Sequence, residues 1–404
     1  MKKKILITTS GERTTRILLR TEIFDLLKIE YDIIVASPAE QVEKWRDEFK
    51  DVIFFTQYLS NGSNIKDCLK DLSISAIITC SNTDTPGHLF DINFQKAGKD
   101  LNIPIIIIQD FIDGIFHPMS ITPDLYLCWG DFFKRIYSRK RNVMKWDTIG
   151  SLTGLCVEEP LPNVKVCGVP HFDIYRKSEF QIREKFVNGI GFSANKPIFT
   201  YMPNGEISQW VYDTFENLME VAREFDAQVI IKSHPIRIDD NWIYNLVIKN
   251  YKDVPVKILT DPSAFKGTAF GLKSYDYHVY HLDNDDMYAL GNIIYNSDII
   301  CSIPSTTALE GMIFNKPVIL ETQYWSHPWE VRRNVMNWYW NVLDSYKCCD
   351  RSKHYGELFQ YVKENLGNND KNIEGRAQIV QDFFNGVDGH ACKNIFNEIK
   401  GFLG

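Results

Sequence analysis

Ile103-Pro104-Ile105-Ile106-Ile107-Ile108-Gln109-Asp110 is an almost unbroken branched-apolar run that stops abruptly at two polar residues. β-Branched side chains pack well on a pleated surface, and a run without polar alternation must be covered on both faces. Such a strand belongs inside a parallel sheet. The same reading places strands over 4–8, 31–36, 52–55 and 76–80 before it, and over 124–129 and 163–167 after it. Helix-period segments, including 14–27 and 89–99, lie between them. This alternation predicts a doubly wound α/β unit.

The rhythm restarts at Pro197-Ile198-Phe199-Thr200-Tyr201. A helix over 208–225 and a strand over 227–232 follow, then strands over 256–259 and 277–280, a helix over 287–295 and a strand over 298–302. A helix over 306–314 and a strand over 317–320 complete the second unit, and the remainder reads as largely helical. A chain of 404 residues is long for one core. The expectation is two Rossmann-like domains, 1–175 and 176–385, facing each other across a cleft. The linker falls near 171–194, and a closing helix over 386–404 packs back on the first domain.

Hydrophobic residues at 44% and charged residues at 24% are globular values. A net charge of −7 excludes a nucleic-acid scaffold, which needs a basic face. Short basic clusters, Lys2 to Lys4 and Lys134, Arg135, Arg139, Lys140 and Arg141, read either as solvated surface or as contacts to anionic lipid or phosphate. The nine cysteines are scattered without a C-x-x-C pair and read as reduced thiols. Ile5-Leu6-Ile7 is cut off by Thr8-Thr9-Ser10-Gly11, so neither a signal-peptide core nor a membrane span is expected. The expected location is the cytoplasm, with room for peripheral contact at the inner face of the cell membrane.

Ligands of open parallel sheets bind beyond the carboxyl ends of the strands, so chemistry is sought there. After the first strand, Ser10-Gly11-Glu12-Arg13 opens a helix and offers backbone N–H groups to an anion, on the acceptor side of the cleft. An ordinary turn capped by Ser10 or Thr14 is the alternative. After Ile108, Asp110 is a candidate general base toward an acceptor hydroxyl, or a simple turn cap, with His117 a weaker candidate nearby. After Ile231, Lys232-Ser233-His234-Pro235 brings a cation and an imidazole to a strand end, with His234 a candidate catalytic group. Ser302-Ile303-Pro304-Ser305-Thr306-Thr307-Ala308-Leu309-Glu310 runs from a strand into a helix. Ser305, Thr306 and Thr307 are placed to hold a diphosphate, and Glu310 to accept ribose hydroxyls. A plain N-cap with a core-flanking glutamate has the same spacing. His278 with His281, and the acidic 283–286 string, resemble metal ligands, but strand alternation separates the histidines and the string lacks a calcium loop's Gly and distal Glu. No metal site and no cofactor are expected.

Three stretches carry a family resemblance. Asp124-Leu125-Tyr126-Leu127-Cys128-Trp129-Gly130, continued by Val166-Cys167-Gly168-Val169-Pro170-His171-Phe172-Asp173, resembles a D-x-x-x-x-W-G and v-x-G-x-P-x-x-D pair. Lys232-Ser233-His234-Pro235 is similar to K-x-H-P. The stretch from Asp298 through Ser305-Thr306 and Glu310 to Lys316-Pro317-Val318 is similar to S-S-x-x-x-E before k-P-v. Together they resemble the nucleotide-sugar GT-B superfamily. The nearest branches are CDP-glycerol glycerophosphotransferases and capsular Kdo transferases, with UDP-N-acetylglucosamine 2-epimerases more distant. The resemblance implies a GT-B fold and metal-independent transfer of a sugar or polyol-phosphate from a nucleotide-activated donor to a surface-polysaccharide or glycolipid acceptor. Lys232, Ser305, Thr306, Thr307 and Glu310 would hold the donor, with His234 at a donor phosphate or the reacting group. Two departures stand out. Gln109-Asp110 replaces the glycerophosphotransferases' His-Gly. The epimerases' Gly-Thr-Arg-Pro-Glu and His-x-Glu-Ala-Gly are replaced by Ser10-Gly11-Glu12-Arg13 and Gln109-Asp110-Phe111. An epimerase-like isomerase or hydrolase, and a non-catalytic nucleotide-sugar-binding subunit, are the rival readings.

Overall fold

The computed structural model describes residues 2–45, 47–49, 52–55, 64–80, 89–146, 152–203, 209–234, 241–259, 284–303, 305–321, 341–368 and 371–404. They form two compact units. The first comprises Met1–Arg176 with the C-terminal Asp382–Gly404, and the second most of the described residues from Lys177 to Gln381.

The first unit is built on strands β1 (Lys3–Thr8), β2 (Tyr31–Ala36), β3 (Ile53–Phe54), β4 (Ile74–Thr79), β5 (Ile105–Ile108) and β6 (Leu125–Cys128). A hairpin, β7 (Arg141–Trp146) with β8 (Leu152–Glu158), precedes β9 (Val164–Val166). Seven strands form one sheet in the order β3-β2-β1-β4-β5-β6-β9, every pair parallel. All four isoleucines of β5 are buried, because neighbouring strands flank it and side chains cover both faces. The order reverses between β1 and β4, the switch point where such sheets bind ligands.

Two elements of this unit differ from the sequence reading. The helix expected over 14–27 is two, Glu12–Leu19 and Glu22–Glu30. Thr21 between them is extended, and its hydroxyl bonds back to the Ile17 carbonyl at 2.7 Å. Arg20 is pulled inward by the Glu12 carboxylate at 2.8 Å and by Glu48 at 2.6 Å. The β7–β8 hairpin was not anticipated, since charged residues such as Arg141, Lys145 and Glu158 break up any continuous apolar run there.

The Trp-Gly and Gly-x-Pro-x-x-Asp stretches seat the end of the chain. Asp173 accepts hydrogen bonds from the Ala391 and Cys392 N–H groups at 3.0 and 2.9 Å, capping the helix Ala391–Leu403. A Cβ on Gly130 would stand 2.2 Å from the Asp382 carbonyl oxygen. Gly168 adopts φ +89°, and its added Cβ would stand 2.9 Å from that of Ala391. Trp129 lies buried against Phe133, Phe172 and Phe384.

The second unit has strands β10 (Ile198–Met202), β11 (Gln228–Lys232), β12 (Val256–Leu259), β13 (Ile299–Ser302), β14 (Val318–Glu321) and β15 (Asp350–Ser352). Their order is β12-β11-β10-β13-β14-β15, again all parallel. Counted from its own first strand, this repeats the order β3-β2-β1-β4-β5-β6 of the first unit. One side-chain device is used in both units, at strands that do not correspond in the repeat. Asp124 before β6 accepts the Ile105 N–H at 2.8 Å and pairs with Lys99. Asp298 before β13 accepts the Ile198 N–H at 2.7 Å and pairs with Arg183. Gly311 lets the helix Thr306–Ile313 lie close on the sheet, because a Cβ there would meet Ile300 at 2.7 Å. β15 was also missed in the sequence: Asp-Arg-Ser has no apolar run and is a strand only by pairing at the sheet edge. The strand expected over 277–280 lies outside the described residues, as do His278 and His281.

Candidate functional site

In the first unit the carboxyl edge gathers five ionisable groups. Asp110, two residues beyond β5, is buried, and its Oδ2 stands 2.9 Å from Arg13 Nη2. Arg13 projects from the helix after β1, and its guanidinium lies 4.5 Å from the Phe111 ring centroid. Burial pushes the Asp110 carboxyl up to about 6, against the opposing charge of Arg13. Asp91, on the helix Leu89–Asp100, is fully buried and likewise pushed up to about 6. The Ser10 and Thr8 hydroxyls hold its charge against that burial, and Asp110 adds repulsion. Cys80, just past β4, is raised well above the ordinary thiol range by burial and by both carboxylates, so it is an unreactive thiol. Burial, with the charges of Arg141 and Arg13, pushes His117 down to about 4. A base that weak suits proton abstraction less than Asp110 does.

The turn Ser10-Gly11 is held largely by itself. Thr14 Oγ1 accepts the Gly11 N–H at 3.2 Å, and the Thr14 and Thr15 hydroxyls donate back to the Gly11 carbonyl at 2.8 and 2.9 Å. Gln41 donates to the Ser10 carbonyl at 3.0 Å. The Thr14 cap of the local reading is therefore present. Behind Asp110, Gln109 accepts the Trp129 N–H at 3.1 Å, and Trp129 Nε1 donates to the Gln109 carbonyl at 2.7 Å. From the hairpin, Arg141 pairs with Glu158, donates to the Ile115 carbonyl at 2.6 Å and lies over Tyr137. Glu158 also accepts the Met119 N–H, so the hairpin braces the loop after Asp110.

In the second unit the candidates lie beyond β11 and β13, the two neighbours of β10. Lys232 and His234 are half-buried, and Lys232 Nζ donates to the Ser233 carbonyl at 3.2 Å. Ser305 is the extended N-cap of Thr306–Ile313, its Oγ accepting the Ala308 N–H at 3.4 Å. Its Oγ also lies 2.7 Å from Thr307 Oγ1 and 3.3 Å from Ser302 Oγ. The hydroxyls of this turn thus form one connected cluster at the β10–β13 switch point. Thr306 is half-buried and Glu310 is buried.

Two buried carboxyls with raised proton affinity were not singled out in the sequence. Asp91 interrupts the apolar face of a helix, and Glu321 ends the apolar run of β14 as Asp110 follows β5. Burial raises Glu321 to about 8 against a hydrogen bond from Ser352. Among the described residues, no group of three or more His, Cys, Asp or Glu is placed to hold a metal ion, and no helix is long and apolar enough to cross a membrane.

No protein-family model and no curated protein matches the chain in sequence. Solved structures match it along its whole length. A glycosyltransferase from Rickettsia africae is 16% identical with a TM-score of 0.55, each chain covered over 99%. The UDP-GlcNAc 2-epimerase from Neisseria meningitidis, bound to UDP-GlcNAc, is 12% identical with a TM-score of 0.59, covering 99% of this chain and 100% of that one. MurG from Acinetobacter baumannii is 10% identical with a TM-score of 0.52, each covered over 99%. At these identities the likeness is one of fold. The chain has the GT-B fold, as its motifs led one to expect.

Proposed function

We propose that the protein is a nucleotide-sugar-dependent transferase of GT-B type, moving a sugar or polyol-phosphate to a surface-polysaccharide or glycolipid hydroxyl. The observation that carries this reading is Asp110. It is a buried carboxylate at a sheet's carboxyl edge, held by Arg13, with a proton affinity near the range a general base needs. In the reaction Asp110 takes the acceptor proton. In the second unit the helix N-terminus at Ser305, with Thr306 and Thr307, binds the donor diphosphate, and Glu310 binds its ribose. Lys232 and His234 take up charge on the leaving nucleotide, so the chemistry needs no metal. Ser10 and Gly11 line the acceptor side. Exposed Lys134 and Arg139 suit a membrane-borne acceptor at the inner face of the membrane.

An epimerase-like reading is favoured by the fold shared with the UDP-GlcNAc-bound enzyme. The two are separated by incubating the protein with CDP-, CMP-, UDP- and GDP-linked donors, with and without acceptor glycans. The transferase reading expects thermal stabilisation by one donor class and nucleotide release that requires acceptor. Turnover of donor alone favours the epimerase. Binding without turnover favours a non-catalytic subunit, and no response to any nucleotide removes all three.

A further inference from the structure

Beneath Asp110 lies a cavity of about 20 Å³, lined by Cys80, Ile107, Asp110, Phe111, Gly114, Met119, Tyr126 and Tyr137. That volume is far too small for a sugar or a phosphate and matches one water molecule. Water enters such a space only where polar groups converge on it, typically two to four of them. Here the Asp110 carboxyl supplies an acceptor and the Tyr137 hydroxyl a donor. Tyr137 is 1% exposed; the neighbouring Tyr126 hydroxyl donates to it, while its own O–H proton meets no acceptor within the protein. The hydroxyl sits where the Gly114 backbone passes, 3.3 Å from the position of an added Cβ. A buried O–H donor without an acceptor is uncommon, and ordered water is the usual remedy.

We propose that this cavity is a binding site for a single water molecule that bridges the Tyr137 hydroxyl and the Asp110 carboxyl. Tyr137 is then a positioning residue: through the water it donates to one face of the carboxylate while Arg13 holds Oδ2. The consequence for catalysis rests on the reading of Asp110 as the base; the water site itself does not. The hairpin matters here too, because Arg141 packs over the Tyr137 ring at 4.7 Å and fixes its orientation.

Two measurements test this. A high-resolution crystal structure of the unmodified protein is expected to show one ordered water within hydrogen-bonding distance of Tyr137 Oη and Asp110; a dry or collapsed cavity overturns the proposal. Independently, the protein is labelled with 13C at the aspartate carboxyls, and Asp110 is assigned by its loss in Asp110→Asn. Its titration is then followed in the unmodified protein, in Tyr137→Phe and in Gly114→Ala, whose methyl takes the water's place while keeping the phenol. Losing a donor to the charged form raises a carboxyl's pKa, so both variants are expected to move the midpoint upward by about half a unit, roughly threefold. Superimposable titrations overturn the proposal. A shifted titration with turnover indifferent to Asp110→Asn leaves the water site standing and removes the base assignment. Loss of turnover in Asp110→Asn with unmoved titrations does the reverse.

Discussion

Arg13 Nη2 and Asp110 Oδ2 stand 2.9 Å apart, joining the helix that follows β1 to the turn that follows β5. With Asp110 as the proposed base, the pair is expected to set the acid limb of activity. A base must be ionised to act, and Asp110 titrates at about 6, so kcat/KM is expected to fall tenfold per pH unit below that value. Arg13 favours the ionised form. Arg13→Gln therefore moves the acid limb to higher pH, by about one unit, in a pH–rate profile.

Glu321 predicts how stability depends on pH. Its folded pKa, about 8, lies above the unfolded value, so the folded state binds the extra proton. The stability this contributes is fully present below the unfolded pKa and is lost as pH rises through 8. The loss amounts to about 3 kcal/mol between pH 5 and pH 8. Denaturant unfolding across that window should show the decline, and Glu321→Gln should flatten it.

Asp173 is expected to anchor the C-terminal helix rather than a substrate. Asp173→Ala leaves the Ala391 and Cys392 N–H groups without their acceptor and should cost about 2 kcal/mol. Hydrogen exchange is the sensitive readout, with protection lost first over Ala391–Leu403 and nucleotide binding unchanged.

The sheets were legible because each buried parallel strand is a branched-apolar run, and the runs at 105–108 and 299–302 need no partner to be recognised. The hairpin and β15 were not, because their strand character comes from pairing rather than from residue type. Strand-end placement alone singles out Asp110, His234 and Ser305 in the sequence. It could not show that Arg13 reaches Asp110, since that contact depends on how β1 and β5 flank β4. Nor could it separate Trp129-Gly130 and Asp173, which hold the chain end, from residues that meet ligand.

In the second unit, His234→Ala is expected to lower turnover by about tenfold to a hundredfold while thermal stability holds, because the side chain is only half-buried. Glu310→Gln should instead weaken donor binding several-fold with kcat little changed, as loss of a ribose acceptor acts equally on ground and transition states. Steady-state kinetics with the responding donor separate the two.

The base assignment is tested most directly by Asp110→Asn, assayed with the donor and acceptor identified from the panel. Asparagine keeps the shape of the side chain and cannot take a proton. The account predicts unchanged nucleotide affinity and a fall in kcat of about 10²–10⁴-fold. Turnover within a few-fold of the unmodified protein, at equal nucleotide affinity, would contradict it.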